Sequence, residues 1–96
     1  MGNLKQQEKM EAHFNAIDLI DDQIAKFEDA MEYLKKNNNL IQRKIFNLRG
    51  EQSSIDEIAE LESEIELFYE IIIELENRIT FHEYKKGLIE DEIHEL

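Results

Sequence analysis

The sequence predicts an all-α fold: an antiparallel two-helix hairpin of coiled-coil type. It predicts further that this hairpin completes a four-helix bundle by dimerising or with a partner helix. Three observations lead there. Two heptad ladders of equal length mirror each other about Ser53; a lone glycine, Gly50, stands between them; and the stretches on either side of it carry opposite charge.

The first ladder runs Met10, His13, Ile17, Ile20, Ile24, Phe27, Met31, Leu34, Asn38, Ile41, Ile45, Leu48, with strict 3-4 spacing. Ten of its twelve positions are apolar, which is the pattern of a coiled-coil seam. The chain contains no Pro, so nothing in it removes a helical hydrogen bond. Lys36-Asn37-Asn38-Asn39 has poor helix propensity, and a break there would give three helices. The ladder keeps its phase across the run, so the helix is expected to continue, with Asn38 as a polar seam residue that fixes register.

Gly50 follows Arg49 where the ladder ends. A left-handed Gly and a nearby cation suit a helix C-terminus. Ser54-Ile55-Asp56-Glu57 then reads as a capping box, the Ser54 hydroxyl accepting from an exposed amide while Glu57 reaches back. The second ladder runs Ile58, Leu61, Ile65, Phe68, Ile72, Leu75, Ile79, His82, Lys86, Ile89, Ile93, Leu96, again with ten apolar positions of twelve. The expectation is one domain over residues 1–96: helix one over about 4–49, a turn at 50–53, and helix two over about 54–96. So short a link forces antiparallel neighbours.

With the turn centred at Ser53, residues equidistant from it oppose each other, as in Ile41–Ile65, Leu34–Ile72 and Ile17–Ile89. The polar exceptions His13, Asn38, His82 and Lys86 each meet an apolar residue (Ile93, Phe68, Ile24 and Ile20), and Asn38, His82 and Lys86 are candidates for setting register and partner choice. Flanking charge agrees. Tyr33 to Arg49 holds five bases and no acid; Asp56 to Glu76 holds nine acids and no base. Lys44 should reach Glu57 or Glu64, Lys35 should reach Glu76, and Lys85 and Lys86 should lie near Asp21 and Asp22. Exposed pairs of this kind select register more than they stabilise.

The chain carries more apolar surface than one seam uses. In helix one, Ala16, Leu19, Ala30, Tyr33 and Leu40 sit together beside the ladder; in helix two, Leu67, Ile71, Phe81 and Leu88 do the same. Ile73 and Tyr69 extend the other flank. A stripe this wide suits a bundle of three or four helices. Leu19, Tyr33, Leu40, Leu67, Ile71, Ile73, Phe81 and Leu88 are therefore the expected interaction surface, facing a second copy, a helical partner, or both.

Chemistry finds little purchase. The three glycines stand alone at 2, 50 and 87, so no loop cradles a phosphate. Ser53 and Ser54 have no neighbouring base. Metal ligation would need convergent side chains. The local candidates, Glu90 or Asp91 with His94, lack the second Glu-x-x-His that helical di-iron bundles use. No catalytic residue, metal or cofactor is expected. The net charge of −12 argues against direct binding to nucleic acid or anionic membrane. No stretch approaches a membrane span, and Met1-Gly2-Asn3-Leu4-Lys5 lacks the apolar core of a signal peptide. Cytoplasmic residence is the expectation, with a signal-independent export route left open.

These readings imply a non-enzymatic interaction or assembly module: an adaptor, a chaperone-like protein or a scaffold. Two others stand beside it. Leu48-Arg49-Gly50 at the centre of a 96-residue chain resembles the Trp-x-Gly turn of the small helical-hairpin proteins of type VII secretion, a resemblance that implies export alongside a helical partner. The chain has Leu where that family has Trp. Asn37, Ile73 and Leu88 stand four residues beyond Tyr33, Tyr69 and Tyr84, where that family's signal places an acid. The rod of acids from Asp56 to Glu76 would alternatively imitate a phosphate backbone and block a basic groove, as small viral anti-defence proteins do.

Overall fold

The computed structural model describes residues 2–51 and 55–96. Two α-helices account for nearly all of them: α1, Gly2–Leu48, and α2, Ile55–Glu95. They pack side by side and antiparallel along their whole length, giving a rod whose Cα atoms extend 79 × 14 × 13 Å. α1 runs unbroken through Asn37-Asn38-Asn39. Burial of the ladder residues on either side outweighs the weak local propensity.

The two ladders are the core. All twelve residues of the first ladder are buried or half-buried, as are all those of the second except Leu96, which lies just beyond α2. Outside the ladders, among the described residues, only Ala16, Asn37 and Gly87 are withdrawn from solvent to that degree. The most enclosed side chains are Ile24, Ile45, Ile72 and Asn38. A two-helix seam shields each side chain on one side only, so most of the core remains half-exposed.

Contacts spread along the rod fix the register. Near the turn, Lys44 lies 4.0 Å from Glu57 and Arg49 lies 3.7 Å from Glu62. In the middle, the rings of Phe27 and His82 meet edge-on with centroids 5.4 Å apart. Further along, Lys86 Nζ is 2.8 Å from Asp21 Oδ1. Towards the open end, His13 Nε2 is 2.7 Å from Glu92 Oε2, and Gln6 Nε2 donates to the Leu96 carbonyl at 3.4 Å. Each pair is close to symmetric about position 53, as the ladders require. Lys35 is not brought into ion-pair distance of Glu76, and Lys85 does not join Asp21 or Asp22; its ammonium lies 4.6 Å over the Phe81 ring.

The end of α1 differs from expectation. No described glycine has a positive φ, so Gly50 is not a left-handed cap. The chain leaves the helix through a right-handed turn, in which Arg49 N–H donates to the Ile45 carbonyl and Glu51 N–H to the Leu48 carbonyl at 2.9 Å. Those bonds satisfy two of the last carbonyls without the conformation only Gly adopts freely. A β-carbon at Gly50 would meet the Asn47 carbonyl at 3.7 Å, an ordinary contact. Ser54, the expected cap of α2, lies outside the described residues. Glu57, its expected capping partner, is exposed and faces Lys44.

Candidate docking face

The heptad letters show how the hairpin distributes its leftover surface. With Met10 and Ile58 as a positions, antiparallel pairing sets the g flank of α1 beside the g flank of α2, and e beside e. The ion pairs confirm it: Lys44 and Glu57 are both g residues, Arg49 and Glu62 both e residues. Each flank extends outward to its neighbouring stripe, g to c and e to b. The rod therefore has two distinct sides.

The g/c side holds seven of the fifteen exposed large apolar side chains; the e/b side holds six, Leu4, Phe14, Phe46, Ile55, Tyr69 and Ile73. Leu19, Tyr33 and Leu40 from α1 and Leu67, Ile71, Phe81 and Leu88 from α2 are all exposed on it. They fall at matching levels: Leu19 with Leu88, Tyr33 with Ile71, Leu40 with Leu67. Ala16 and Ala30, both small, occupy g positions between the larger residues, and small side chains suit close approach of a neighbouring helix. Seven of the eight residues expected to form the interaction surface thus lie on one side. Ile73 does not. It is exposed on the opposite side, with Tyr69.

Charge divides the same way. The g/c side carries six bases (Lys5, Lys9, Lys26, Lys44, Arg78, Lys85) and six acids (Glu57, Glu60, Glu64, Glu74, Glu92, Glu95). The e/b side carries ten acids (Glu11, Asp18, Asp21, Glu28, Glu32, Glu62, Glu66, Glu76, Glu83, Glu90) against Lys35 and Arg49. The chain is strongly acidic overall, yet its g/c side is electrically balanced. A balanced, apolar surface can be covered without stranding net charge away from water; an acidic one cannot.

The polar seam residues behave differently from one another. Asn38 is 2% exposed, and neither its Nδ2 nor its Oδ1 has a hydrogen-bond partner among the described residues. Lys86 leans out of the seam to Asp21. Its ammonium is held above the usual lysine range, first by the hydrogen bond to that carboxylate. His82 donates from Nδ1 to the Arg78 carbonyl at 2.8 Å and turns its ring against Phe27. His13 is held between two acceptors, the Lys9 carbonyl at Nδ1 and the Glu92 carboxylate at Nε2. Only an imidazolium can donate to both, so its pKa is raised, the Lys9 carbonyl contributing most and Glu92 next.

Sequence reasoning missed several exposed apolar residues. Phe46, 77% exposed, and Phe14 lie on the acidic side, and Tyr84 faces outward. It also missed the His13–Glu92 pair, although a turn at position 53 sets residue 93 opposite residue 13. Among the described residues, no three His, Asp or Glu side chains converge as metal ligands would, and no helix is long and apolar enough to cross a membrane. No family model, no curated protein and no solved structure matches the chain.

Proposed function

We propose that this chain is a non-enzymatic interaction or assembly module, a rigid hairpin that docks a helical partner along its g/c side. One observation carries the reading: large apolar side chains from both helices line up on the one side of the rod whose charges balance. The surface total points the same way. The chain exposes 7667 Å², whereas a compact monomer of 11.5 kDa would expose roughly 5,800 Å². The excess is more than the ~800 Å² that a standard protein interface takes from each partner.

Photo-crosslinking in living cells tests this. A benzophenone side chain in place of Tyr33, on the g/c side, should crosslink to another polypeptide chain. The same group in place of the outward-facing Tyr84 should not. Equal labelling from both positions, or none from Tyr33, would remove the basis for the reading.

A further inference from the structure

We infer that the polypeptide covering the g/c side is a second copy of this chain, related by a twofold axis parallel to the rod, so that both turns lie at the same end. The inference rests on the docking reading above and names its partner.

Under that axis, α1 of one copy lies beside α2 of the other, at the same levels and in the same antiparallel sense as within each hairpin. The charge match inside the hairpin is then repeated between hairpins. Near the turns, Lys44 comes to Glu60 and Glu64 of the other copy; near the open ends, Lys9 comes to Glu92 and Glu95. Between these charges, Leu19 falls on Leu88, Tyr33 on Ile71 and Leu40 on Leu67 of the other copy. Lys26 comes level with Arg78, whose charge is already met at 2.9 Å by Glu74 on its own helix. Every adjacent pair of helices in the resulting bundle is antiparallel, so the helix dipoles also alternate.

The other twofold that joins the same faces runs across the rod. It sets α2 against α2 and brings Glu57, Glu60 and Glu64 of one copy to Glu92 and Glu95 of the other. That is acid against acid at both ends, while Lys9 approaches Lys44. Charge therefore selects the parallel axis. Area is sufficient: a face about 79 Å long and 13 Å wide offers about 1,000 Å² per copy, against the ~800 Å² a standard interface takes from each partner. The acid-rich e/b sides stay in water and repel further copies.

The chain has no cysteine, so one introduced cysteine reports the geometry. Arg43→Cys carries a spin label on the outer face near the turn. Light scattering should give about twice the 11.5 kDa chain mass, and the interchain label distance should be about 20–30 Å, the width of a four-helix bundle. The crosswise axis would place the labels about 50 Å apart, from 1.5 Å of rise per residue, and that distance would overturn the assignment. Leu40→Glu with Leu67→Glu should halve the mass. Because that variant risks losing the fold along with the dimer, Lys9→Glu with Lys44→Glu supplies an independent readout. It should weaken the dimer at least tenfold in low salt, with a smaller effect in 1 M salt. A dimer unaffected by both variants does not use this face, and the proposal fails. A wild-type chain that is monomeric at 100 µM also refutes it; if Tyr33 photo-crosslinking still captured a different protein, the docking reading would survive with another occupant.

Discussion

Asp21 and Lys86 meet across the hairpin at 2.8 Å, the shortest Lys–carboxylate contact between the two helices. Lys86 occupies a seam position, yet its ammonium leaves the seam to reach a carboxylate on the e flank. The aliphatic stem covers the core while the charge stays near water. This pair can form only when positions 21 and 86 share a level. Asp21→Lys should therefore lower the melting temperature, and adding Lys86→Glu should recover most of the loss. Failure of the exchange to rescue would place the two residues apart in solution.

Asn38 is the opposite case. Its amide is sealed in the seam with no partner among the described residues, and such a group costs about 1–3 kcal/mol. Asn38→Leu should raise stability by a similar amount in urea unfolding. It should also broaden the distribution of oligomers, because a polar seam residue penalises alternative registers. A loss of stability would mean that the amide has a partner in the assembled state.

Ile72 and Ile73 are sequence neighbours with different fates. Ile72 is 4% exposed and Ile73 is 57% exposed. Ile72→Asp buries an unpaired carboxylate and should cost several kcal/mol, abolishing most far-UV helicity. Ile73→Asp should change stability by no more than about 0.5 kcal/mol. Equal effects would show that the seam runs along a different stripe.

Gly50 gives a prediction that runs against the sequence pattern. Its φ is not positive and a β-carbon fits, so Gly50→Ala should stabilise by about 0.4–1 kcal/mol through the unfolded chain. Destabilisation would restore the left-handed cap.

His13 makes stability depend on pH. Its folded-state pKa is raised above the ordinary 6.5 by the Lys9 carbonyl and Glu92. A raised pKa contributes stability that is fully present below the unfolded value and is lost as pH rises through the folded one. The melting-temperature gap between wild type and His13→Gln should be widest below the ordinary histidine pKa and should close as pH rises through the raised folded-state pKa. A gap that widens with pH would contradict the pairing.

The hairpin was legible because burial and seam periodicity coincide. The ladder positions from Met10 to Ile93 are withdrawn from water, joined outside the ladders by Ala16, Asn37 and Gly87 alone among the described residues, and the break in the pattern marks the turn. The charges near the turn and near Asp21 were legible for the same reason. Gly50 misled, since glycine after a helix is compatible with a right-handed turn whenever i→i+3 bonds close it. The docking side could not be seen in either helix alone. Leu19 and Leu88 share a side only because antiparallel pairing joins g to g. His13 was hidden by its neighbours: the apolar Ile93 opposite it disguised the acid one residue away.

The account depends most on the two g/c flanks lying on one side of the rod. Spin labels at positions 33 and 71, diluted with unlabelled chain so that only intramolecular distances appear, address this directly. The predicted separation is under about 20 Å, while labels at 33 and 69 should be further apart by about one helix diameter, ~10 Å. A 33–69 distance equal to or shorter than the 33–71 distance would put Tyr33 and Ile71 on different sides and contradict the account.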